Sequence, residues 1–598
     1  MIRVNFAGAS LVIPGSYTDV QVAQSSLASP ALGVVALIGE SDEGAAFSTE
    51  SGLSAVTFGP DEFQAIVEKF GSGELVDAAK LAISPSNDPQ IRGGAQQLLL
   101  LKTNRSSIAQ LAIPAGASTY GNLKAKRAGL PGNNVSYACS IVSSKAIITL
   151  ERLDSGVREV SEPLGGNTVM TLVCNDSGIS AATVTIAAGQ LTTTLTGATF
   201  AQPLAIDLSR FATVKQLVDF INAQPTYVAT VASAAVGAKP VSILDHVAAV
   251  SIKTTAAVIK KDAQEVRDFF AASTIASFEP VMFAGLPTTK AKSYLVGGAR
   301  GATFASDVTD CIDALLKYRI NFVVPLFSRD AAADVADGIT DAGSTYDIHA
   351  IHQAVAAHCN QASSVKGRKE RQGFVAFQGS FDDTLEASAS LSSARVQMLF
   401  QSVDVVSASS GLIVLKQPHM LAVLSAGMKA AAPVGLPNLY KQPLLSGFSH
   451  VDFDAETQAE KAIAGNLCFV AKAPNGGFRF VIDNSTYAQD KDAWINNRPS
   501  VIYAADVAAY SIRLATEVFV GQRNSDVSEE SIKNQMVTVL DQLRSAGITV
   551  ADPNLKAPAG YKDLSVKIKG SIVEIGVTLI LVEGLEFILS SIRVQRAG

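Results

Sequence analysis

The sequence predicts a multidomain α/β (α+β) protein on a mixed sheet, with an inserted β-rich domain and extended β-strand arms at both termini. Three observations support this. Short continuous apolar runs, Gly33 to Gly39 (GVVALIG) and Leu98 to Leu101, read as strands buried on both faces and alternate with stretches of helical period. From about Ser140 to Ala257 the composition shifts to Thr, Val, Ala, Ser and Gly in short alternating runs, after which the α/β pattern resumes. Both ends are apolar with period-two patterning, whereas chain ends are usually polar and frayed.

In chain order, Ile2, Val4 and Phe6 alternate with Arg3 and Asn5, and the run from Leu11 through Val12 to Ile13 stops at the turn-forming Pro14-Gly15. A helix is expected after Gly59, where Pro60, Asp61 and Glu62 suit a first turn and Phe63, Ile66, Val67 and Phe70 recur at helical spacing. Gly71 ends it. The piece FGSGE, Phe70 to Glu74, reads as closing that helix and opening none. Inside the β-rich stretch, Ala182 to Ile186 and Leu191 to Leu195 are strands, and Val214 to Ile221 is a helix. Then follow a helix Ser306 to Tyr318, a strand Asn321 to Phe327, a helix Ile351 to His358, and strands Phe374 to Phe377 and Val403 to Val406.

Beyond about Leu445, strands Leu467 to Ala471 and Phe478 to Ile482 flank Pro474-Asn475-Gly476-Gly477, a hairpin signal. Helices are expected over Ala504 to Val520 and Glu529 to Ala546. The second has Asp526 or Ser528 as N-cap, with Glu529 three after Asp526 for a capping box. Its apolar face is Ile532, Met536, Val539, Leu540 and Leu543, and Gly547 stops it. From Leu564 the chain alternates again: Val566 and Ile568 against Lys567 and Lys569, then Val573, Ile575, Val577 and Leu579, then Leu585, Phe587, Leu589, Ile592 and Val594. These terminal strands have no obvious local partner in the sequence. They pair either within one molecule or with the sheet of a neighbour.

With 598 residues, 48% hydrophobic and 17% charged, the chain has material for about four domains with large cores. A mean hydropathy of +0.26 fits burial against other subunits and larger cores equally well. The most apolar stretch, Ile572 to Ile592, contains Glu574, Glu583, Glu586, Gly576 and Gly584, which argues against a membrane span. The N-terminus has no uninterrupted apolar run of the secretory kind, so synthesis in the cytoplasm is expected. Cys139, Cys174, Cys311, Cys359 and Cys468 lack CxxC spacing and are odd in number, which points to reduced thiols. A net charge of −6 lends no electrostatic support to nucleic-acid binding.

Candidate chemistry is sparse. His349, His352, His358 and Cys359 lie in IHAIHQAVAAHCN; the first two share a helix face, but the others project elsewhere, so they read as ordinary helix residues. The basic run Lys366 to Arg371 (KGRKER) reads as a solvated loop before a strand. LVGGARGAT, Leu295 to Thr303, has neither P-loop nor dinucleotide spacing, and GxSxG and HExxH do not occur. No catalytic, metal-binding or cofactor-binding residue is assigned, and no cofactor is expected. Triads dispersed along the chain escape such a search.

Taken in order, these segments resemble the tail sheath protein of contractile bacteriophages: IPGSYTDV (Ile13 to Val20), GVVALIGESDEG, FGSGEL, QQLLLLKTN, GNLKAKRAGLPGNNVSYACSI (Gly121 to Ile141), LVGGARGAT, then APNGGFRFVIDNSTY, Trp494, the helix pair and the terminal strands. The order of many moderate signals carries the likeness, and it covers nearly the whole chain. It implies an N-terminal β-arm over 1–22, a sheath α/β domain in two parts (23–139 and 258–444), an inserted β-rich outer domain over 140–257, a C-terminal inner domain facing the tube over 445–563, and C-terminal strands and arm over 564–598.

The function the resemblance implies is structural and mechanical, without enzymatic chemistry. Subunits polymerise helically around a tail tube by exchanging terminal strands, and contraction drives the tube through the host envelope. Implied partners are further copies of the chain, the tube protein, and baseplate and tail terminator proteins, with no direct nucleic-acid contact and no membrane insertion. The implied location is the virion tail, assembled in the host cytoplasm. Expected inter-subunit residues are Val4, Phe6, Val12 and Ile13 in the N-arm and Phe587, Leu589, Ile592 and Val594 in the C-arm; Lys533, Gln542 and Arg544 are expected to face the tube. Competing readings are the sheath of a phage-derived injection particle, a cytoplasmic α/β enzyme, and a surface adhesin, for which an export signal is missing.

Overall fold

The computed structural model describes residues 4–6, 9–11, 32–47, 55–474, 476–488, 494–523, 525 and 527–586. The central element is a six-stranded sheet of β1 (Val34–Gly39), β2 (Val56–Phe58), β3 (Gln97–Lys102), β4 (Phe322–Pro325), β5 (Gln372–Ala376) and β6 (Val396–Leu399), in the order β6-β5-β4-β1-β3-β2. All neighbours are parallel except β2, which runs antiparallel to β3 on the edge. Every residue of β1 is buried, because alternate side chains enter two different cores. Val35 and Leu37 face helices α1 (Phe63–Phe70) and α2 (Glu74–Ile83); Val34, Ala36 and Ile38 face α3 (Ala305–Ala314) and α4 (Ile348–Ala362). The first core also takes in α5 (His419–Ala431), α6 (Pro499–Glu517) and part of α7 (Glu529–Ser545).

Several expectations change on contact with the fold. FGSGE both ends α1 and opens α2, whose first residue is Glu74. The KGRKER run is not simply solvated. Arg371 is buried, its guanidinium donating to the carbonyls of Leu315 and Tyr318, while Lys369 donates to those of Leu316 and Lys317. The run thus supplies cations to the carbonyl end of the turn that follows α3. The cap of α7 is Ser528, and its box closes on Ser531 through bonds of 3.0 and 3.2 Å. Asp526 lies outside the described residues.

The inserted region is nested. After β3 the chain enters a middle body built on strands Gln110–Ala115, Ser118–Ala125, Val135–Val142, Lys145–Arg152 and Val157–Val160, completed after a long detour by helix Asp262–Ala272 and strands Ala276–Pro280 and Lys290–Tyr294. Its core holds Tyr120, Tyr137, Ile148, Leu150, Phe270 and Leu295. The detour, Thr168 to Lys260, is a second body of two antiparallel sheets and helix Val214–Asn222, with its own core around Leu172, Val184, Leu191, Leu217 and Ile259. The segment 140–257 therefore begins inside strand Val135–Val142, whose pairing continues across residue 140, and it spans parts of two bodies.

The middle body is fixed to the central domain at Glu43. Its carboxylate takes Arg127 at 2.7 Å and Arg152 at 2.6 Å, both from the middle body, and Glu43 bridges Gly129 across the seam. Gly129 has φ of 129°, and a Cβ there would lie 1.9 Å from the Asp42 carbonyl oxygen, so only glycine permits the approach.

Thr168 and Lys260 are cross-strand partners, so this second body begins and ends at one place. Replacing 168–260 by a short Gly-Ser linker is expected to leave a soluble, folded remainder with a melting temperature within about 5 °C of the intact chain. Calorimetry checks this, and aggregation of the shortened chain would show that the second body supports the rest.

Candidate functional site

At the C-terminal end, β7 (Tyr561–Lys569) and β8 (Ile572–Leu579) pair with each other in an antiparallel hairpin, so these strands do have a local partner. The alternation seen in the sequence seats them. Val566, Ile568 and Ile575 pack on Ile532 and Met536 of α7, and Leu564, Val577 and Leu579 reach the central core. Ile572 and Val573, at 61% and 42% exposure, stay open to solvent. The hairpin forms a two-stranded sheet among the described residues, with β7 along α7 and the far side of β8 presenting unpaired backbone groups. Beside its turn, an apolar hollow of about 590 Å³ opens between Phe519, Val520, Val527, Ile532 and Val573.

The N-arm residues Val4 and Phe6 lie in a short strand, Val4–Phe6, that pairs antiparallel with Ala9–Leu11. Val12, Ile13, Phe587, Leu589, Ile592 and Val594 lie outside the described residues. Lys533, Gln542 and Arg544 are on the exposed side of α7, opposite Ile532, Met536, Val539, Leu540 and Leu543; Arg544 has Asp541 of its own helix at 3.6 Å.

The histidine run of α4 is structural. His352 is buried with Nε2 3.0 Å from the Ala376 carbonyl, and burial pushes its pKa down to about 4. His358 meets the Arg371 guanidinium at 2.9 Å, and burial together with that cation also pushes it to about 4. Among the described residues no group of three or more His, Cys, Asp and Glu is placed to hold a metal.

The strand order reverses direction between β1 and β4, the place where open α/β sheets form a ligand crevice at the carboxyl ends of their strands. Here the chain's own polar side chains fill it. Past β1, buried Glu40 accepts from Thr303 and Thr340 at 2.8 and 2.5 Å and pairs with Arg300 at 3.1 Å; burial still holds its pKa above the usual carboxylate value. Past β3, burial pushes Lys102 down to about 7, and its ammonium donates to the Ser41 carbonyl and the Ser106 hydroxyl, both at 2.7 Å.

Past β4 lies a constellation that motif reading missed because its members are far apart in sequence. Ser328 Oγ is 2.8 Å from His419 Nδ1, and His419 Nε2 is 3.1 Å from Glu74. The geometry is that of a nucleophile, base and orienting acid. Yet Ser328 and His419 are 0% and 1% exposed, and the hydroxyl also accepts the backbone N–H of His419 at 3.3 Å. The relay therefore acts as a strut between β4, α2 and the first residue of α5. Burial disfavours the charge on Glu74, but the hydrogen bond and charge of His419 and the ammonium of Lys416 outweigh it and hold the carboxyl at about 2.

A carboxyl held below its ordinary 4.5 stabilises the fold above that pH, and the gain fades as pH falls toward 2. Glu74→Gln should therefore cost up to about 3 kcal/mol near neutrality, with the two stabilities converging below pH 4.5. Denaturant titrations of both proteins across this range check the convergence.

No family model matches the sequence, and no curated protein does. Among solved structures, the sheath tail protein of Desulfitobacterium hafniense aligns over 95% of this chain and 100% of its own, with a TM-score of 0.54 and 12% identity. The sheath tail protein Lin1278 of Listeria innocua aligns over 92% of each chain, with a TM-score of 0.50 and 14% identity. Nested insertion, central sheet and terminal hairpin together thus form, over nearly the whole chain, the fold of a sheath tail protein.

Proposed function

We propose that this chain is the sheath subunit of a contractile tail. Copies polymerise helically around a tail tube, bind baseplate and terminator proteins at the ends, and contract to drive the tube through a host envelope as part of a virion. The role is mechanical and involves no turnover. The observation that carries this reading is the open edge of β8, in a chain of sheath tail fold whose two terminal segments are themselves patterned as strands. A terminal arm of one copy adds to the hairpin of the next, and because donor and acceptor differ the contact is head-to-tail and propagates. Burying four apolar arm side chains such as Phe587, Leu589, Ile592 and Val594 contributes roughly 6 to 10 kcal/mol before the ordering cost. The closed Ser328 relay offers no route for a substrate and favours this role over the enzyme reading.

Electron microscopy of the purified protein is expected to show striated tubes. A chain ending at Glu586, which keeps the hairpin and its seat, should melt near the intact protein yet sediment as a monomer. Tubes formed by that shortened chain would remove the C-arm from the mechanism.

Of the surfaces available to a tube, the exposed side of α7 carries the expected contact residues. Reversing charge at Lys533 and Arg544 should weaken assembly on an acidic tube and spare tube-free polymers. Co-sedimentation with tubes measures this, and equal binding after reversal would exclude the face.

A further inference from the structure

After β8 the chain stays bonded to the body. The amide of Ile580 donates to the Gly560 carbonyl, that of Val550 to Ile580, and that of Val582 to Ile548, with a bridge between Thr549 and Leu581. At Gly584 the backbone lies against Pro437, where a Cβ would come within 2.5 Å of the proline Cγ, so this glycine serves close approach. Two residues on, Glu586 meets Arg498 in a two-pronged ion pair, Nε to Oε1 at 2.6 Å and Nη2 to Oε2 at 2.9 Å. Arg498 is itself fixed by donating through Nη1 to Asn484 at 2.7 Å, and it immediately precedes α6, which is packed in the central core. Its side chain and that of Glu586 are 26% and 28% exposed, so the pair is partly shielded from solvent. A hollow of about 380 Å³ is lined by residues 583–586 together with Pro437, Ile482 and Arg498.

We propose that the Arg498–Glu586 pair is an anchor: it fixes where and in which direction the terminal arm leaves the body, and it stops a pull on the arm from unzipping the hairpin. Pulling rests on the sheath reading above; the fixing does not. Residue 586 is the last described point before the strand-patterned tail 587–598. A load applied beyond it would lift residues 580–586 and then strip β8 from β7 one pair at a time, the weak direction for an antiparallel hairpin joined by a turn at 570–571. The bidentate bond passes that load sideways into α6 and the central sheet instead. Arginine suits this role because its planar fork holds a carboxylate in one orientation, as an ammonium cannot.

The test is hydrogen exchange on the full chain. Glu586→Gln and Arg498→Gln should each speed exchange at the amides of Ile580 and Val582 by roughly threefold to tenfold, while the β7–β8 amides and the melting temperature stay as in the parent. The exchanged pair Arg498→Glu with Glu586→Arg should restore protection. Unchanged exchange in both single variants, or a swapped pair no better than the singles, would overturn the anchor. In the assembled state, polymers of Glu586→Gln should dissociate at lower denaturant than the parent's, and equal resistance would overturn the load-bearing part. A parent chain that forms no polymer would overturn the sheath reading, and the exchange result would then decide the fixing of the arm alone.

Discussion

Much of this structure follows from one requirement: a parallel sheet must be covered on both faces. β1 is buried along its whole length, and α1 and α2, the helices nearest in sequence, cover only one of its faces. The chain meets the demand with pieces drawn from positions as far apart as Ile66, Leu421, Val507 and Leu540 on one side and Val308, Val355 and Leu467 on the other. As a result segments far apart in the sequence are rooted in the same core. Leu32, just before β1, and Leu581, just after β8, both pack against it.

The same sheet creates a second demand at its carboxyl ends. A reversal of strand order opens a crevice, and an unfilled crevice exposes the ends of strands and helices. Glu40, Arg300, Lys102, Glu74, His419 and Lys416 fill it with pairs that are individually expensive to desolvate. Such a network accepts only one arrangement of its members. Its location, beside the Glu43 clasp on the middle body, gives the inner joint of the molecule a fixed geometry.

Where the sequence was legible, one signal dominated. The runs at β1 and β3, the face of α7 and the alternation through β7 and β8 stand out because burial and periodicity agree. Helix α5 escaped notice for the opposite reason: MLAVLSAGM is apolar on all sides, as befits a helix with every residue from His419 to Ala430 buried, and therefore has no face to detect. The nested insertion reads as one piece because the strands of both bodies share a composition, and only long-range pairing, such as that of residues 139 and 290, and the two separate cores divide it. The crevice network and the Arg498–Glu586 pair join residues tens to hundreds of positions apart, and nothing local marks them.

The cysteines have a practical consequence. All five are buried and unpaired, and burial lifts the thiols of Cys359 and Cys468 up to about 12. Thiolate, the reactive form, is scarce at such positions at neutral pH. The native thiols therefore compete little for maleimides, so a single introduced cysteine on the second body of the insertion or on α7 would carry a fluorophore or spin label. Distances between copies in the proposed polymer could then be followed directly.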